Sequence, residues 1–158
     1  VVPIHDPDDL NAMIETDEEL DWRYRHGGCV LFAQALCLEL GYSMRALFAL
    51  SVHEEDGLSV ENDDDCLAHA FAVRPDGTLV DVGGTFELDW LLHECNLDPI
   101  DGGSVWTSDV ETEERVQALL RVSDYTAHPD ELSALRAHIR VHPAVYGPPV
   151  PAPTPLAQ

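Results

Sequence analysis

A double glycine runs directly into a cysteine at Gly27-Gly28-Cys29, and an apolar stretch free of Pro and Gly continues from there to Leu40. That stretch reads as a helix, stopped by Gly41. A helix N-terminus carries roughly half a positive charge and unpaired N–H groups. A thiol placed there ionises more readily and becomes a better nucleophile. The same amides can hold a developing oxyanion. Gly27 and Gly28 permit a tight entry and leave space for a substrate carbonyl to approach the sulfur. A thiol nucleophile also needs a base, and the base needs an orienting group. His69 and Asp81 supply these types on either side of Pro75-Asp76-Gly77, a turn between two apolar runs. With the turn centred on Asp76, Phe71 faces Asp81 and His69 faces Gly83. His69 and Asp81 then lie as diagonal neighbours on one sheet face. The expected chemistry is proton transfer from Cys29 to His69, with Asp81 holding the ring in one tautomer.

The elements that must position these groups follow from apolar spacing. The Cys29–Leu40 helix is apolar nearly all round and is expected at the domain centre. Met44 to His53 reads as a strand, Leu67 to Gly84 as a hairpin, and Thr85 to Cys95 as a short helix. Ser108 to Glu111 fits a capping box before a helix to Val122, and an amphipathic helix carries Leu132, Leu135 and Ile139. Pro7 opens a short helix in the acidic segment 1–21. Residues 1–146 form a single domain, and 147–158 is a proline-rich extended tail. The fold class is α+β: a buried cysteine-bearing helix on a small antiparallel sheet, with further helices towards the C-terminus.

Cysteine at a helix start, then histidine on one strand and aspartate on the next, resembles the papain-like superfamily in its transglutaminase-like branch. "GGCVLFAQALCLELGY" is similar to that branch's cysteine helix, and "AHAFAVRPDGTLVDVGG" to its histidine and aspartate strands. Gly27-Gly28 before the cysteine and Val80-Asp81-Val82-Gly83 also resemble arylamine N-acetyltransferases. The likeness spans about Trp22 to Phe86. It implies Cys29 as nucleophile, His69 as base and Asp81 as orienter. It implies acyl cleavage or transfer at amides, esters or thioesters through a thioester intermediate, with no metal and no cofactor. Papain-type enzymes place a glutamine shortly before the cysteine as an oxyanion donor; here the segment reads "DWRYRHGG". Trp22, Arg23 or a backbone N–H would take that role, and His26 would flank a substrate groove.

Composition narrows the alternatives. Thirty acidic residues stand against eight basic ones, a net charge of −22. Such a surface repels phosphates and excludes a nucleic-acid role. It fits solubility, adaptation to high salt, or a basic protein partner. The second functional reading is therefore an acidic binding or inhibitor protein, of immunity or phage- or plasmid-encoded type, with a vestigial triad. No apolar run reaches membrane-spanning length. Four cysteines are too few for a disulfide scaffold, so reduced thiols and a cytoplasmic setting are expected. Cys66-x-x-His69 and His93-x-Cys95 carry zinc-ligand types, but their spacing is not that of a finger. Cys37, two turns beyond Cys29, is expected in the core.

Overall fold

The computed structural model describes residues 17–25, 27–50, 66–95 and 104–147. The described elements are α1 (Asp17–Arg25), α2 (Cys29–Leu40), β1 (Ser43–Leu50), β2 (Leu67–Val73), β3 (Leu79–Asp81), β4 (Gly84–Phe86), α3 (Leu88–Glu94), β5 (Ser104–Val110), α4 (Glu113–Val122), α5 (Glu131–Arg140) and the single turn α6 (Pro143–Tyr146). The five strands form one antiparallel sheet in the order β4-β3-β2-β1-β5. The class is α+β.

Residue size explains how α2 meets the sheet. Ala46, Ala70 and Ala72 are buried beneath it, and these small side chains let the helix approach closely. Phe32, Leu36 and Leu40 pack with Val80, Val82, Leu135 and Ile139 on one flank. Val30 and Ala33 pack with Phe48, Val110 and Leu119 on the other. The opposite sheet face buries Leu47, Phe71 and Val73 against Leu91 of α3. Gly41 ends α2 in the left-handed region at φ 76°, its N–H on the Cys37 carbonyl. Glu39 ties α2 to α5 by accepting from Arg136 Nε at 3.2 Å and Arg140 Nε at 2.9 Å. Among the described residues no helix is long and apolar enough to cross a membrane.

Several expectations change. Burial of α2 is not complete: Leu38 is 51% exposed. Thr85 and Phe86 belong to strand β4, and the helix begins only after Glu87. Ser108 is not a cap. It lies in β5, which pairs with the whole length of β1 from Met44↔Val110 to Leu50↔Ser104. The cap of α4 is Thr112, whose hydroxyl accepts from the Arg115 N–H at 3.2 Å. Ladder pairing, invisible to a local motif, took Ser108. Helix α1 begins within the acidic segment 1–21, where a short helix was expected, and runs on to Arg25. The Pro7 helix, the strand end at 51–53 and the tail from 148 lie outside the described residues.

Candidate active site

Helix α1 leads into α2 through Gly27 and Gly28. Gly27 has φ +141°, which favours glycine. Gly28 donates its N–H to the Arg23 carbonyl at 3.0 Å. A Cβ on Gly28 would lie 2.6 Å from Tyr24 Cδ1 and 3.1 Å from the Arg23 carbonyl oxygen. The missing side chain therefore makes room for the buried Tyr24 ring, not for an incoming substrate. Gly28→Ala is expected to cost about 1–3 kcal/mol of stability through overpacking. Chemical denaturation checks this, and a loss below about 0.5 kcal/mol would show that the ring yields freely.

The hairpin adopts the register set by its turn: Ala72 pairs with Val80 and Val73 with Leu79. Pairing of β3 with β2 covers only these positions. The β2 edge from Leu67 to Phe71 is thus left to the start of α2. Cys29 fills that notch. The Ala70 and Val30 amides donate to its sulfur, and His69 hydrogen-bonds to it. His69 Nε2 meets Asp81 Oδ2 at 3.0 Å, which leaves Nδ1 for the thiol. Asp81 Oδ1 accepts the Gly83 N–H at 2.9 Å. The structure brings Cys29, His69 and Asp81 together as one chain of contacts.

All three groups are covered: Cys29 is 5% exposed, His69 2% and Asp81 3%. Burial pushes the Cys29 thiol up, but the His69 hydrogen bond and charge and the two amides outweigh it, so the thiol falls below its ordinary value. Burial pulls His69 down, while Asp81 and the sulfur lift it further, to about 9. Both shifts favour the thiolate–imidazolium pair at neutral pH.

Of the other residues expected at the site, Trp22 and Arg23 go elsewhere. Trp22 is 56% exposed on α1. Arg23 is buried, and its Nη1 donates to the Tyr125 hydroxyl at 2.9 Å. His26 lies outside the described residues. Trp106 stacks on Phe48 at 5.6 Å between ring centroids, as part of the packing between β5 and β1. Trp90 carries the Arg25 guanidinium over its ring at 4.9 Å. Cys37 is not core but half-buried against it, and burial pushes its thiol up to about 12. His69 is taken by Asp81 and Cys29, and among the described residues no group of three or more His, Cys, Asp or Glu is arranged to hold a metal.

Arg25 was missed. Its Nη1 donates to Asp81 Oδ2 at 3.0 Å and its Nε to Asp21 Oδ1 at 2.7 Å. The spacing of Asp21 and Arg25, four apart on one helix, was a legible sign of that second pair. Nothing local pointed to the first. Arg25, Asp81, Phe86, Glu87 and Trp90 are among the residues lining a pocket of about 340 Å³. Comparison with protein-family models, curated proteins and solved structures found no match to this chain.

Proposed function

We propose that the chain is a small cysteine-dependent hydrolase or acyl transferase, of peptidase, amidase or deamidase type, on a papain-like, transglutaminase-like core. One observation carries this reading: the continuous contact from the Cys29 sulfur through His69 to Asp81. The thiolate attacks a substrate carbonyl carbon, and the positive end of α2 stabilises the charge that develops on oxygen. The bond to the leaving amine or alcohol breaks, and imidazolium His69 protonates that group as it departs. Water or another nucleophile then attacks the thioester, giving its proton to His69 and releasing the thiolate. Asp81 keeps the ring oriented throughout. No step calls for a cofactor. The four cysteines are free thiols, which supports a reducing, cytoplasmic setting.

The test is selective alkylation. At pH 6, iodoacetamide is expected to modify Cys29 faster than a model thiol and ahead of Cys37 and Cys95, whose thiols burial pushes up. Peptide mass spectrometry identifies the labelled residue. Uniformly slow labelling would overturn the enzyme reading and favour the acidic binding protein, as would a biological effect that survives Cys29→Ala intact.

A further inference from the structure

Two independent features converge on Arg25. The first is the shared acceptor: Asp81 Oδ2 receives both Arg25 Nη1 and His69 Nε2, each at 3.0 Å. The second is Gly83. A Cβ built there would collide with Arg25 Nη2, and Gly83 is not among the residues of positive φ. The backbone does not demand glycine at this position, but a side chain there would push the guanidinium aside. Arg25 is also fixed from two further sides, by Asp21 and by the Trp90 ring.

We propose that Arg25 is a positioning residue of the triad, fixing Asp81 through the oxygen it shares with His69 and withdrawing part of that carboxylate's charge from the imidazole, with Gly83 left bare to admit it. The inference rests on the cysteine-nucleophile reading above. The charged and titratable groups around this point are Asp21 on α1, Asp81 on β3, Glu87 before α3, and Glu94 and Cys95 at its end, with Cys29 on the far side of His69. Beside the His69 imidazolium, Arg25 is the cation that touches Asp81 among the described residues. Its removal leaves the full carboxylate charge to the imidazole, so His69 should hold its proton to higher pH. Loosening of the site would do the opposite and return His69 towards an ordinary histidine.

The experiment follows the His69 Cε1–H signal by NMR against pH in the full chain, assigned by its loss in His69→Asn. In the wild type the midpoint is expected near the value of about 9 given above. Arg25→Gln should raise it by about one pH unit. Arg25→Lys, which keeps the charge, should restore most of the difference. Gly83→Ala, which changes no charge but displaces the guanidinium, should shift it in the same direction as Arg25→Gln. The double variant should shift it no further than Arg25→Gln alone. An unchanged midpoint in Arg25→Gln, or one moving towards about 6.5, overturns the proposal. Should Arg25→Gln fail to fold, a wild-type midpoint in Gly83→Ala overturns it equally. A wild-type His69 titrating near 6.5 beside an unreactive Cys29 defeats the nucleophile reading itself, and is read without any Arg25 variant.

Discussion

Labelling of Cys29 by iodoacetamide at pH 6 is expected to slow by about tenfold to a hundredfold when His69 is replaced by asparagine. Asparagine keeps much of the shape and can still meet Asp81, but it carries no positive charge. Only the Ala70 and Val30 amides would then favour the thiolate, against the cost of its burial. Burial alone pushes a thiol up, as it does for Cys37 in the same helix. At pH 6 an ordinary thiol is less than about 1% ionised, whereas a thiolate held by imidazolium is largely ionised. A lowered thiol is also an intrinsically weaker nucleophile, which trims the ratio to the stated range. Rates measured by mass spectrometry against pH decide the matter. A His69→Asn rate within about twofold of the wild type would mean that the imidazole does not activate the sulfur.

The second large effect lies away from the sulfur. Glu131→Ala is expected to lower folding stability by about 3 kcal/mol. Glu131 is fully buried at the first turn of α5. Its Oε2 accepts the Tyr24 hydroxyl at 2.7 Å and the Tyr125 hydroxyl at 2.5 Å, and its Oε1 accepts the His128 N–H at 3.1 Å. Arg23 completes the network through Tyr125. Burial raises both phenols, Tyr125 to about 12, so they remain donors across the working pH range. Alanine would leave two sheltered hydroxyls without their acceptor, each costing about 1–3 kcal/mol. Urea denaturation followed by circular dichroism measures the loss. A change under about 1 kcal/mol would show that the network is dispensable. Because Tyr24 also packs on Gly28, this variant should disturb the approach of α1 to Cys29, which alkylation would report.

The parts legible from sequence were those set by short-range rules. The span of α2 followed from its unbroken apolar run and Gly41. The pairing of β2 with β3 followed from Pro75-Asp76-Gly77, and with it the meeting of His69 and Asp81 across a diagonal. Strand β5 was missed because its partner β1 is separated from it by more than fifty residues, and Ser108 offers a local motif that competes. Helix α1 was only partly legible: a short helix was expected in the acidic segment 1–21, but its last turn carries Tyr24, which reaches Glu131 on α5. Arg25 was missed because its contact with Asp81 joins two elements that no periodicity links. Gly28 was identified but its purpose was misread, since the Tyr24 ring that needs the space lies in the part of α1 beyond the segment expected to be helical.

The coupling of sulfur and imidazole has a consequence for unfolding. His69, with its value raised to about 9, contributes stability that is complete below about 6.5 and fades as pH climbs through that raised value. Cys29, with its value lowered from 9.0, contributes stability that is complete above 9.0 and fades as pH drops through the lowered value. Where the two ranges overlap, the slopes oppose each other and cancel. Folding there exports no proton to the solvent; it hands one internally from sulfur to nitrogen. Calorimetric unfolding within that overlap should therefore show no buffer-dependent heat from this pair.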